Sequence, residues 1–334
     1  MLKLKQFSKR KISDIDVLNE LARSNAFDYI GDSDLLINIS SFEVLSPEII
    51  DLISKVGSIN IDNFCGLTNE ILEKLTNVRF YVNGDSYASF GNMMIGKNQW
   101  YTADDMSNIL NVFNTIRDSI PKDASELDKF LLVYKSIAMA ADYDRSGCVN
   151  DEEYIEGNEE TTRSLKGVLI DGRAVCRGYA LALYNALKYV GVDCKIVDGY
   201  ALNDPRLGHA FNQVIIDGKA YWVDATWDSS RFKRDIPVEY CLIGDEQFKK
   251  DHTPCSHNIW QCNENYNQET VKARLQELPY VDTKKKVSLK DIAKVAYEKA
   301  KDSNFRDSSE ILSDIEQINN GEITEVIPNK DKGD

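Results

Sequence analysis

The sequence predicts an α+β fold, with an N-terminal α/β module, a helical middle and an antiparallel sheet in the second half. Three observations carry this expectation. A strand–turn–helix pattern recurs near the N-terminus, helical spacing of apolar residues dominates from about Tyr101, and two alternating segments flank an Asp-Gly pair further on.

In the N-terminal region, Ile37-Asn-Ile-Ser-Ser-Phe-Glu-Val-Leu-Ser-Pro-Glu-Ile-Ile-Asp-Leu-Ile53 matches Ile59-Asn-Ile-Asp-Asn-Phe-Cys-Gly-Leu-Thr-Asn-Glu-Ile-Leu-Glu-Lys-Leu75 at an offset of 22. Each copy reads as a short strand, a turn and a helix capped by Ser46 or Thr68, because a hydroxyl there accepts from an amide that has no helical partner. Val78 to Val82 supplies a third strand. The period lies in the leucine-rich-repeat range, which leaves a short solenoid and a plain α/β packing module both open.

Met106, Ile109, Leu110, Val112, Phe113 and Ile116 define one amphipathic helix, and Leu127, Phe130, Leu131, Tyr134 and Ile137 another, with Pro121 between them. Downstream, Ala180, Leu183, Tyr184, Leu187 and Val190 predict a third helix that opens at Cys176 and stops at Gly191. A cysteine at a helix N-terminus meets unpaired N–H groups and the positive end of the helix dipole, which favour the thiolate. Arg173 and Arg177 place further positive charge in its neighbourhood.

The segments His209 to Ile216 and Lys219 to Thr226 flank Asp217-Gly218, a two-residue hairpin signal. With that turn, paired residues sum to 435, His209 faces Thr226, and Asp224 lies diagonally across on the same face as His209. A carboxylate beside an imidazole fixes its tautomer and stabilises its protonated form. The other histidines, His252 and His257, sit in Asp251-His-Thr-Pro-Cys-Ser-His257. That spacing does not match the usual zinc patterns, with or without Cys241 or Cys262, and predicts loop residues packed on the core.

Gly172-Arg-Ala-Val-Cys-Arg-Gly-Tyr-Ala180, Gly208-His-Ala-Phe-Asn212 and Asp217-Gly-Lys-Ala-Tyr-Trp-Val-Asp-Ala-Thr-Trp-Asp228 resemble the three signature segments of the transglutaminase-like superfamily. Ala141-Asp-Tyr-Asp144 and Glu239-Tyr-Cys-Leu-Ile-Gly-Asp245 are similar to flanking parts of its bacterial members, and the resemblance spans roughly Tyr101 to Pro279. It implies a papain-like core in which the cysteine helix packs on an antiparallel sheet. It also implies Cys176 as nucleophile, His209 as general base and acid, and Asp224 as orienter. Phe211 stands where tryptophan is common, and Ala174 where glycine is common; neither departure removes a reacting group. The superfamily holds amine-transferring enzymes, peptidases, deamidases and inactive members. Acyl transfer on protein or peptide amides is therefore the expected activity, and a silent fold binding a protein partner through the N-terminal repeats is the alternative.

The chemistry of such a triad requires no cofactor. Asp142-Tyr-Asp-Arg-Ser-Gly-Cys-Val-Asn-Asp-Glu-Glu153 nevertheless fits the ligand order of a calcium-binding EF-hand loop. Asp142, Asp144 and Ser146 fall at positions 1, 3 and 5, Cys148 at 7, Asn150 at 9 and Glu153 at 12. Against it, no second such loop appears, Gly157 weakens the exit helix, and Tyr143-Asp144 is ordinary at this place in transglutaminase-like chains.

A net charge of −14 argues against nucleic acid as a main partner, and no stretch approaches the roughly 18 apolar residues of a membrane span. Seven cysteines at scattered spacings make no disulfide framework, and no apolar signal core follows the basic start. A reducing, cytoplasmic location is expected, with export independent of a signal left open. The expected organisation is a repeat-like module over 1–99, a catalytic domain over 100–280 and a charged helical tail over 281–334. In that tail Ser288 starts a helix, and the end from Pro328 is expected to be disordered.

Overall fold

The computed structural model describes residues 11–12, 36–43, 45–82, 100–144, 159–256 and 258–282. The tail helix from Ser288, the chain end and positions 145–153 of the candidate calcium loop lie outside the described residues.

The N-terminal repeats form a parallel sheet of β1 (Lys11–Ile12), β2 (Leu36–Ile39), β3 (Ser58–Ile61) and β4 (Arg79–Val82), in that order. Ile37 pairs with Ile59 and Ile39 with Ile61, so the sequence offset of 22 is the strand register itself. Helix α1 (Pro47–Val56) starts where the Ser46 side chain accepts from Ile49 N and ends at Gly57, whose left-handed backbone sends its N–H to Ile53 O. Helix α2 (Asn69–Lys74) starts on Thr68 in the same way. Ile49, Ile53, Ile59, Ile61, Leu75 and Phe80 are fully buried between these layers.

A bridge from Phe80 to Tyr101 leads into α3 (Ala103–Asp118), opened by a capping box of Thr102 and Asp105. Helix α4 (Glu126–Ala140) is buried on most of its circumference and forms the central post of the core. Short elements follow: β5 (Asp142–Tyr143), α5 (Glu159–Thr162), a π-turn over Gly167–Asp171 and β6 (Arg173–Ala174), which pairs with β5. Helix α6 (Cys176–Tyr189) then packs against β7 (Cys194–Ala201) and β8 (Gly208–Ile216).

The main sheet is antiparallel, in the order β10 (Cys241–Ile243), β9 (Lys219–Val223), β8, β7, β11 (His252–Pro254). Its β8–β9 register is the expected one, from Asn212 opposite Val223 to Ile216 opposite Lys219, because Asp217 and Gly218 both adopt the positive φ that a tight primed turn requires. One face, with Val214, Ile216 and Val223, joins the large core. Val197, Phe211 and Trp222 on the other face pack with Ile243, Phe248 and Cys262. This is the papain-like, transglutaminase-like arrangement of a cysteine-bearing helix on a curled antiparallel sheet. Helix α7 (Ala225–Phe232) follows β9, α8 (Asp245–Phe248) follows β10, and α9 (Gln268–Glu277) closes against α4.

Candidate active site

Cys176 is the first residue of α6, behind the extended Val175. It is partly exposed, whereas Cys194, Cys241 and Cys262 are buried. Beside its sulfur, the His209 side chain and the Ala210 amide both favour the thiolate. Burial by itself raises the thiol pKa; the His209 charge and these two polar neighbours outweigh it and hold the thiol below its ordinary value. At the buried cysteines nothing opposes desolvation enough: burial drives Cys241 and Cys194 well up and Cys262 to about 12. The expected help from arginine is not how the site is built. The Arg173 guanidinium pairs with Asp144 and that of Arg177 with Asp198, each at 2.9 Å, so both charges are matched by carboxylates and the imidazole supplies the local cation.

His209 lies in β8 opposite Gly199 of β7. A Cβ at Gly199 would come within 2.3 Å of Thr253 O and 2.9 Å of the Phe211 ring, so only glycine lets β11 and Phe211 close in here. The Nε2 of His209 stands 2.7 Å from Asp224 Oδ2, which leaves Nδ1 for the sulfur. Its ring stacks on Trp227 at 5.6 Å between centroids. Burial opposes charge on the imidazole, but the carboxylate of Asp224 and the thiolate reverse the balance and push its pKa up to about 10.

Asp224 corrects the strand expected to run to Thr226. β9 stops at Val223, and Asp224 becomes the cap of α7. Its Oδ1 accepts from Thr226 N at 2.8 Å and Trp227 N at 3.1 Å, while Oδ2 faces imidazoles. The change has a plain cause: an aspartate at the end of a strand satisfies the free amides of the following helix, which the ladder cannot. Although burial raises the carboxyl pKa, the two imidazoles and their hydrogen bonds hold it well below the usual range.

The second imidazole is His252, and it lies in a strand, His252–Pro254, where loop was expected. His252 is 1% exposed and begins β11, paired with Ala201. Its Nε2 lies 3.2 Å from Asp224 Oδ2 and its Nδ1 2.7 Å from Asp251 Oδ1. His257 lies outside the described residues. Asp228 is a further buried carboxyl, bonded to the Tyr134 hydroxyl at 2.7 Å and to the amides of Glu239 and Tyr240; burial raises its pKa to about 7. Neither role was legible in the sequence, because the bonds His252–Asp224 and Asp228–Tyr134 join distant stretches of chain.

Among the described residues, donor atoms of metal-ligating type converge at His209, Asp224 and His252, within 4.8 Å of one another. The 2.7 Å separation of His209 from Asp224 is a hydrogen bond, shorter than the roughly 3.3 Å edge of a tetrahedral site with 2.0 Å bonds. The trio as it stands fits protons. In the candidate calcium loop, Asp142 pairs with Lys233 and Asp144 with Arg173, while Ser146, Cys148, Asn150 and Glu153 lie outside the described residues.

Residues 115–226 match the family model of the transglutaminase-like superfamily. The chain carries a transglutaminase-like core. Among solved structures, the chain is similar to one described as a TGase, at 22% identity and a TM-score of 0.31, over 37% of this chain and 31% of that one. A "Putative Cysteine Protease" from Cytophaga hutchinsonii matches at 17% identity and a TM-score of 0.25, over 50% of this chain and 61% of that one. No curated protein gives a match. The transglutaminase-like match includes Cys176, His209 and Asp224 and ends before Asp228, Tyr240, Asp251 and His252.

Proposed function

We propose that this protein is a cysteine-dependent acyl-transfer enzyme acting on protein or peptide amides through a thioester. The observation that carries this reading is the partly exposed Cys176, whose thiolate is favoured by His209, together with the 2.7 Å hydrogen bond between His209 and Asp224. In the proposed reaction the Cys176 thiolate attacks the amide carbonyl. The first amide of α6, which has no intrahelical acceptor, stabilises the oxyanion in this reading. The His209 imidazolium gives its proton to the departing amine, the C–N bond breaks, and the acyl group stays on sulfur. His209 then takes a proton from the acceptor as it attacks the thioester, and the thiolate leaves. Water as acceptor gives deamidation or cleavage; a primary amine gives transfer. Asp224, tied to the start of α7, keeps the imidazole in one orientation throughout.

The test is alkylation of the cysteines by iodoacetamide across pH, read by mass spectrometry, in the native protein and in His209→Ala. Cys176 should react well below the ordinary thiol value and lose that advantage in the variant, while Cys194, Cys241 and Cys262 stay slow. A Cys176 no faster than these three sinks the proposal. With the thiolate established, glutamine-containing peptides offered with and without a fluorescent primary amine separate transfer from hydrolysis.

A further inference from the structure

Both ring nitrogens of His252 face carboxylates. Its Nδ1 faces Asp251 Oδ1 at 2.7 Å and its Nε2 faces Asp224 Oδ2 at 3.2 Å. An ionised carboxylate only accepts, and a neutral imidazole has one N–H to give. Asp224 already accepts from two backbone amides and from His209, and Asp251 accepts from the Tyr240 hydroxyl at 2.7 Å. Two carboxylates on opposite ring nitrogens therefore call for two N–H groups. The ring is locked in this orientation by Phe248, stacked at 4.2 Å, and by Trp227 at 4.3 Å, with Tyr240 and Phe211 closing the remaining sides.

We propose that His252 is a positioning residue for the Cys176–His209 pair: an imidazolium, clamped by Asp251, that meets the same Asp224 oxygen as His209 and shares its charge. This rests on the acyl-transfer reading of the same site. The charged and titratable groups facing it are Asp251 on its own segment, Asp224 at the start of α7, His209 in β8 and Tyr240 before β10, with Cys176 beyond His209 and Asp228 one turn along α7. Its ring centroid is 5.5 Å from that of His209.

A fixed cation at this place has two consequences of the same sign. It favours the thiolate of Cys176, lowering the pH at which the thiol ionises, and it disfavours the second cation on His209, lowering the pH at which that proton is lost. Asp224 is thus kept from binding the His209 proton too tightly for it to be passed to a leaving amine. The chain's three histidines make the state of His252 directly observable.

The experiment combines nitrogen-15 NMR of histidine-labelled full-length protein with the pH profile of Cys176 alkylation in His252→Phe and His252→Gln. The native protein at pH 7 should show both His252 ring nitrogens protonated. In His252→Phe, which keeps the ring packing, both limbs of the alkylation profile should move up by about half a unit to one unit. His252→Gln, which keeps a donor toward Asp224 and lacks the charge, should move them in the same direction and serves if the phenylalanine variant does not fold. A neutral tautomer at His252, or variants with lowered melting temperature and unmoved limbs, overturns the proposal while leaving the acyl-transfer reading intact. A native protein whose Cys176 has no acidic limb at all overturns both.

Discussion

The two sheets of this protein bury different kinds of side chain. In the parallel N-terminal module, the buried residues described between 39 and 82 are all apolar. Around the antiparallel sheet, Arg177, His209, Asn212, Gln213, Asp224, Asp228 and His252 are buried as well. An apolar layer gains stability from every ångström of area removed from water, whereas each buried charge must recover a desolvation penalty through partners placed within hydrogen-bond distance. The first sheet is therefore built to pack, and the second to hold protons in set places.

Three substitutions test that contrast. The largest effect is expected from Cys176→Ala, which should lower turnover of a responsive amide substrate by about 10⁴-fold or more while leaving the melting temperature close to native. An unchanged rate would move the function away from the antiparallel sheet. Next, Phe80→Ala in the parallel sheet removes a fully buried ring and should cost about 3–5 kcal/mol in denaturant unfolding. The Cys176 alkylation profile of the folded fraction should stay in place; a shifted profile would show that the two regions are electrostatically coupled.

The smallest effect is expected from Asp228→Asn. The folded carboxyl has its pKa raised to about 7 from an ordinary 3.8, so its contribution to stability is full below about 3.8 and is lost as pH rises through about 7. The amide cannot ionise and can donate to the Tyr134 oxygen, whose hydroxyl reaches Tyr240 O at 3.3 Å. The variant should match the native melting temperature near pH 5 and lose less than the native protein between pH 6 and 9. Parallel curves would place the alkaline loss elsewhere.

Local patterns in the chain were enough to specify a good part of this architecture. Ser46 and Thr68 cap their helices as expected, and the repeat offset of 22 reappears as the pairing of Ile37 with Ile59. Asp217-Gly218 sets the β8–β9 register to the residue. Each of these depends on neighbours a few positions apart or on self-similarity, which a linear sequence displays. The identity of the charge beside Cys176 did not follow in the same way. Arg173 and Arg177 are next to it in sequence, yet they turn to Asp144 and Asp198.

The sequence by itself determined a cysteine at the head of a helix, a hairpin that carries the histidine and registers about Asp217-Gly218, and a repeated α/β module ahead of them, because hydrophobic period, capping residues and turn chemistry act over short spans. Only the tertiary structure decided that β9 yields to a helix capped by Asp224, that β11 comes to lie beside β7, and that His252 reaches Asp224 across 28 residues of chain. The physical reason is the same in each case: a buried polar group takes the partner that folding brings within hydrogen-bond distance, and no spacing along the chain encodes that distance.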